Sequence, residues 1–568
     1  MRLKRVLLST LVAGMMVLTA CAQSGPDYTV WIPDQNINDL NLGDDKVVTQ
    51  SSRVIPSEEE YTSVDELAKK LLNHEDISEA VYKNQLINGS YEDLSEAISG
   101  KRTIIYVSSS EGNNLNDGRT PSTPKKSFEK MSQSAGVAVL LKCGDTFEMS
   151  DMFYVGDNTV FCSYGEGPRP ILDFSQKVEE PLVNVRGYEN IWAVDLSRTV
   201  FYNKEKSDES NYNFGQLYLD DECNWNRLVV STKDMPTANF AELLTEQKDN
   251  CWAVDWMHGV LYLYSETDPN VHEVRLSSAR HGLNFKEIRN AIVSDIEIKG
   301  TGVDGAILTN CTDVTITNCL FKNIGGALAG GTTRYGDGIR LGNVEKNITI
   351  KNNVFDNVFS SGYCDKGLAV TDRQENIVVT GNIFAHCNSG IEQYDDYQCL
   401  VPIKGMSIEN NLVFETCDVT NPSFGKYVDD RGTMTNGLAE VPSYRNDTLF
   451  NKSASATFAA YQSPMEVKIS NNVFWGTTRF LMLIDATHGY PEISDNYFFS
   501  RSDSERDCLF GYSVTTDASE TMYFAKQLLE DTNKESVVVV SQDVIDSSYV
   551  PSESLQELKK VLGSIVGE

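Results

Sequence analysis

Histidine and proline are scarce, at 6 and 16 of 568 residues, and basic charge is short, with 49 Lys and Arg against 81 Asp and Glu for a net charge of −32. A surface of that sign repels nucleic acid and anionic headgroups, which argues against both as partners. It also repels an acidic polysaccharide unless metal ions or local basic patches intervene. There is no CxxC pair and no HExxH stretch, so the spacing of a structural zinc site is missing and no metal site is expected. Past Leu18 no apolar run is long enough to span a bilayer. Twelve cysteines leave eleven after Cys21, an odd number that cannot all pair. Most read as small buried hydrophobes, with one or two bridges among them.

What is present starts with an address. Arg2, Lys4 and Arg5 precede an apolar run from Val6 to Leu18, closed by Leu18-Thr19-Ala20-Cys21. A basic head, a short apolar body and small residues before a cleavage point make residues 1–20 a secretory signal. The ending resembles the lipobox of bacterial lipoproteins. That resemblance implies lipidation at Cys21 and a protein secreted and held by its lipid at the outer face of a bacterial cell membrane; a monomer is expected. Without the three basic residues of the signal, 46 Lys and Arg face 81 Asp and Glu, a charge near −35.

Residues 21–56 are polar and without period, a flexible tether. From Ser57 to Gly100, Leu67, Leu71 and Leu72 fall at helical intervals and YEDLSEAISG repeats the pattern before a stopping glycine, giving a short acidic helical region. At Thr103 the period drops to two, and residues 101–186 open with a strand, an Asn-Asp-Gly turn and a Pro-led segment. Residues 187–276 hold alternating, aromatic-rich stretches such as FGQLYLDDECNWNRLVV and GVLYLYSETDPNVHEVRLS, the pattern of an inserted antiparallel β-sandwich. Residues 277–513 carry repeats, broken by a polar loop over 418–456 in which Asp429, Asp430 and Arg431 are candidates to roof a groove. The tail, 514–568, is expected to cover the last repeat.

The repeats share one template. GDGIRLGNVEKNITIKNNVF, residues 336–355, is echoed by KGLAVTDRQENIVVTGNIF, residues 366–384, and the pattern VTITNCLF recurs from Val314, Ile348, Ile377, Met406, Val467 and Pro491. Each copy gives alternating β-branched residues, a polar turn and an aromatic. Self-similarity of this kind builds a solenoid in which each repeat buries its apolar face against its neighbours. Stacking at about 4.8 Å places Cys319, Asn353, Asn382, Asn411, Asn472 and Asn496 in one ladder and Phe321, Phe355, Phe384, Phe474 and Phe498 in one internal column. The expected class is all-β, a parallel β-helix solenoid with an inserted antiparallel β-sandwich and a small N-terminal helical segment.

A second strand in each repeat, aligned on Gly305, Gly338, Gly367 and Gly390, sends Ala306, Ile339, Leu368 and Ile391 inward. Ile307, Arg340, Ala369 and Glu392 then face out, with Asn310, Asn343, Asp372 and Asp395 at the strand ends. Retaining hydrolysis of a glycan needs two carboxyl groups about 5–5.5 Å apart, close to the spacing of successive coils. Asp372 and Asp395 are one candidate catalytic pair, and Glu392 lies on the strand of Asp395. Crowded carboxylates raise at least one pKa, as an acid catalyst requires. Arg340, Lys366, Arg373 and Tyr394 are the candidate substrate contacts.

The strand Ile104–Val107, the Asn116-Asp117-Gly118 turn, Thr123-Pro124 and Phe128 resemble the opening of secreted right-handed parallel β-helix proteins, in which a short helix caps the first coil. The insert resembles those of β-helix glycosidases related to a β-xylosidase family. In that family a nucleophilic Asp and an acid Glu occur near this strand end on successive coils; the match puts Thr371 and Tyr394 at those columns, with Asp372 and Asp395 one step on. The resemblance implies a glycoside hydrolase acting on a polysaccharide or oligosaccharide, with no cofactor. A polysaccharide lyase is the alternative, because Arg340, Lys366 and Arg373 stand beside Asp337, Asp365 and Asp372, and elimination can use calcium. A glycan-binding protein without catalysis and an adhesive solenoid also fit the scaffold.

Overall fold

A computed structural model describes residues 94–201, 212–230, 234–329, 333–367, 370–395, 400–401 and 403–414, with shorter pieces between 62 and 81 and between 426 and 563. The chain forms three ten-stranded sheets that it visits in turn. In one coil Ala306–Thr309 belongs to the third sheet, Thr312–Thr317 to a ladder sheet and Leu320–Ile324 to an aromatic sheet, and the next coil repeats the circuit at Ile339–Gly342, Val344–Lys351 and Val354–Val358. Neighbouring coils pair parallel and in register, as in Val314 to Ile348 to Ile377. The result is a right-handed parallel β-helix, the hand that twisted strands impose on parallel crossovers.

The corners explain the repeated Asn-Asn and Gly-Asn pairs. Asn318, Asn352, Gly381, Asn410 and Asn471 all adopt positive φ, between 53° and 66°, which Asn and Gly tolerate. The next residue is the ladder position. Asn353 N donates to Asn382 Oδ1, Asn382 N to Asn411 Oδ1 and Asn411 N to Asn472 Oδ1, each at 2.9 Å, while Asn382 Nδ2 reaches Ile350 O at 2.9 Å. Buried backbone groups at the turn are thereby satisfied from coil to coil. One step inside, Phe321, Phe355 and Phe384 stack with ring centroids 5.0 and 4.8 Å apart.

The helix Ser95–Ser99 places Ile98 with Tyr106, Leu140 and Cys162, so the first ladder strands are covered on the face away from the lumen. A further helix, Val64–Leu72, has Asp65 and Glu66 in its first turn and Lys69 and Lys70 in its last, the order the helix dipole favours. The solenoid breaks off after Asp173 and resumes at Leu283, which pairs in register with Phe153 across the gap. Between them lie two four-stranded antiparallel sheets, one of Ser175–Lys177, Phe214–Leu219, Glu222–Asn224 and Val274–Ser278, the other of Val183–Asn184, Ile191–Asp195, Trp252–Asp255 and Val260–Tyr264. They pack around Trp252, Leu217, Leu261 and Leu276. Pairing of the polar stretch Ser175–Lys177 with Val274–Ser278 carries this unit beyond residues 187–276 at both ends.

All eight cysteines among the described residues are thiols, seven of them buried. Cys21 and the rest of residues 1–56, and Asp429, Asp430 and Arg431, lie outside the described residues. Within 418–456, Lys426–Val428 pairs with Leu228–Val229 of the inserted unit and with Met434–Asn436. Among the described residues no helix is long and apolar enough to cross a membrane.

Candidate functional site

Five successive strands of the third sheet start at a glycine, Gly282, Gly305, Gly338, Gly362 and Gly390, and beneath Gly305, Gly338 and Gly362 lies the Phe column. A Cβ on Gly338 would stand 2.5 Å from Phe355 Cδ1, and one on Gly362 would stand 2.4 Å from Phe384 Cδ1. The register confirms the column: Ala306 pairs with Ile339, Ile339 with Tyr363 and Tyr363 with Ile391. The glycine that starts the coil between Gly338 and Gly390 is therefore Gly362, not Gly367. This corrects the sequence alignment by five residues. Tyr363 and Cys364 take the places expected of Leu368 and Ala369, which lie outside the described residues.

The correction separates the expected carboxylate pair. Asp395 ends its strand opposite Gly367. Asp372 sits buried past the corner, after the exposed turn of Val370 and Thr371 and before the ladder strand Arg373–Thr380. Arg373 is exposed on the ladder sheet, where its N–H donates to Asn343 O at 2.8 Å. A longer strand, Ser361–Gly367 against the four-residue Ile339–Gly342, absorbs the offset. Five of the seven expected residues do share the third sheet: Arg340 and Glu392 in one outward file with Cys364 between them, Lys366 and Tyr394 in the next, and Asp395 at the end of its strand.

Around them lies a group that the alignment missed. The residue before each glycine forms its own column, His281, Asp304, Asp337, Ser361 and Ser389, and its carboxylates tie coil to coil. Asp337 N donates to Asp304 Oδ1 at 2.8 Å, and Ser361 N donates to Asp337 Oδ1 at 3.0 Å. His281 Nδ1 lies 3.1 Å from Asp304 Oδ2. On the coil above, Ser361 Oγ donates to Glu392 Oε2 at 3.1 Å and Cys364 Sγ to the same oxygen at 3.5 Å. Lys366 Nζ joins the two acids, 3.8 Å from Asp337 Oδ2 and 3.5 Å from Glu392 Oε2. The signal was in the text as Asp-Gly, Asp-Gly, Ser-Gly, Ser-Gly at the four strand starts, from Asp304 to Gly390.

Burial sets the electrostatics. Burial pushes the Asp337 carboxyl above its ordinary value; Lys366 opposes this, Asp304 and Glu392 add to it, and Arg340 opposes it again, with a net rise. Burial acts the same way on Asp304, but the His281 bond and charge, Arg340 and the Asp337 N–H together pull that group below the ordinary range. Burial, then the Asp337 charge, raises the Cys364 thiol well above its usual value. Asp304 and Asp337 therefore differ in role: Asp304 is an anion paired with His281, and Asp337 holds a proton more readily.

Asp337, Cys364 and Glu392 bring one ligand atom each within 4.8 Å of the others. Lys366 already lies on both carboxylates and the thiol keeps its proton, so this donor set suits proton and charge chemistry better than a metal ion.

The family model for the right-handed β-helix region matches residues 258–439. No curated protein sequence matches the chain. Among solved structures it is similar to XylC in complex with xylose, with 12% identity, 74% of this chain and 73% of that one covered, and a TM-score of 0.41. It is similar to a glycoside hydrolase with 8% identity, coverage of 80% and 99%, and a TM-score of 0.42. A lacto-N-biosidase from Eubacterium ramulus gives 12% identity, coverage of 73% and 67%, and a TM-score of 0.34. At these values no activity follows from the likeness.

Proposed function

We propose that the chain is a secreted glycoside hydrolase, lipid-anchored through Cys21, that cuts a plant or other complex polysaccharide or its oligosaccharides on the outer face of the third sheet. The observation that carries this reading is the carboxyl pair of Asp337 and Glu392, whose oxygens approach within 4.8 Å with Lys366 across both. That separation suits direct displacement with retention, since inversion needs room for a water between carboxyls about 6.5–9.5 Å apart. Glu392, held by Lys366, Ser361 and Cys364, is the nucleophile that bonds to the anomeric carbon. Asp337, whose hold on a proton burial strengthens, gives its proton to the leaving glycosidic oxygen and then takes one from the water that releases the sugar. Tyr394, two residues beyond Glu392 on the same strand, offers a ring face to the glycan, and Arg340, two strands away in the file of Glu392, a donor.

Incubation of the full chain with a panel of complex polysaccharides tests the reading, with assays for new reducing ends, unsaturated ends and product anomer. Reducing ends of retained configuration are expected, lost in Glu392→Gln and Asp337→Asn while the circular dichroism stays native, and kept in Asp372→Asn. No cleavage of any glycan, or cleavage that survives both of the first two substitutions, rejects the assignment. Unsaturated ends support elimination instead, in which Lys366 would have to surrender the proton its two carboxylates hold in place. Mass spectrometry of the N-terminus tests lipidation at Cys21.

A further inference from the structure

Behind the strands of Lys366 and Glu392 the interior of the coil is not apolar. Register places Asp365 and Gln393 next to one another in the inward file that Leu308 and Leu341 occupy on the two preceding coils. Glu345 and Gln374, register neighbours in the ladder sheet, are also fully or almost fully buried. Tyr363, with no exposed surface, brings its hydroxyl 3.5 Å from Asp365 Oδ2. The Glu345 carboxyl accepts Asn310 N at 2.8 Å and Cys311 N at 2.9 Å, and the charges that act on it most are those of Asp365 and Asp372.

Two side chains in this group leave amide atoms without a hydrogen bond. Both amide atoms of Gln393, which is wholly buried, and Nε2 of Gln374 make no hydrogen bond. Buried amides left unbonded are strongly disfavoured, and Leu at these places would pack as Leu308 and Leu341 do. Acid oxygens, an amide oxygen and a phenol oxygen at neighbouring buried positions are the donors that a hard cation takes, with water filling the shell and accepting from the two amide nitrogens.

We propose that this chamber binds one hard cation of the calcium class, coordinated through Gln393 Oε1 and Asp365 with Glu345 and the Tyr363 hydroxyl around it, and that the bound ion fastens the strands Ser361–Gly367 and Ser389–Asp395 to one another. The site is separate from the outward cluster and does not depend on the hydrolase reading.

The full chain, stripped with a chelator and dialysed against calcium chloride, is analysed for bound metal by mass spectrometry, for thermal unfolding and for amide exchange. One calcium retained per chain, a higher Tm with calcium, and slower exchange centred on Ser361–Gly367 and Ser389–Asp395 are expected. Gln393→Leu and Glu345→Gln are each expected to weaken binding at least tenfold. Retention of no metal with an unchanged Tm overturns the proposal, as does slowing of exchange confined to other segments. Equal retention by the wild type and both folded variants also overturns it, since the metal would then lie on the acidic surface. The wild-type measurements decide the matter if either variant fails to fold.

Discussion

Lys366 is the residue on which the outward cluster turns, because it is the cation shared by two acids on the coils below and above it. Its charge opposes the burial that raises Asp337, so without it Asp337 keeps its proton to higher pH. If Asp337 is the acid, activity falls as pH rises through its pKa. Lys366→Met is accordingly expected to lower kcat/KM and also to move the basic limb of the pH–rate profile upward. A limb that stays in place or moves toward acid would remove Asp337 from the role of acid catalyst. Asp337→Asn alone is expected to cost about a hundred- to ten-thousandfold in rate, the usual worth of general acid catalysis.

At the scale of the element, the ladder and the glycine column make different demands. Asn382 bonds to Asn353, Ile350 and Asn411 on either side. Asn382→Ala strands buried donors and acceptors on both neighbouring coils and is expected to lower stability by about 3 kcal/mol, read as a shift in the urea midpoint. Gly362→Ala meets the Phe384 ring and Gly390 O, with an expected loss of about 2 kcal/mol. Gly342→Ala, in the same sheet but with nothing within 4 Å of the added carbon, is expected to change stability by less than about 0.5 kcal/mol. Equal losses at Gly362 and Gly342 would show that backbone freedom, not the aromatic column, explains the glycine at coil starts.

The molecule as a whole is a stack whose contacts run mainly between consecutive coils, carrying a large excess of negative charge. Like charges on a compact body repel, and salt screens them. Raising ionic strength with sodium chloride, which leaves calcium out of account, is therefore expected to raise the Tm of the full chain. A falling Tm would mean that favourable pairs such as Lys346–Glu375 and Lys468–Glu409 outweigh the net repulsion. Much of this scale was legible beforehand. The six copies from Val314 to Pro491 contained the strand register, the Asn ladder and the Phe column, since a parallel stack turns equal positions in the text into neighbours in space. The site was legible only in part: Arg340 and Glu392 come from reading alternation along the strand, Lys366 from standing beside an acid and Tyr394 from the resemblance, whereas Asp372 was paired with Asp395 through the wrong glycine.

The sequence by itself determined that the chain coils, which residues fill the corners and which ring stacks on which, because a repeated pattern can bury its apolar face only against its own copies. Tertiary structure decided which glycine begins each coil, and so which acids meet. Coil length varies, and a five-residue offset is absorbed by a longer strand and an exposed turn at no cost to the repeat. Only the stacked backbone shows that Asp337 and Glu392, two coils apart, converge on Lys366, and that Gln393 points into the interior behind them.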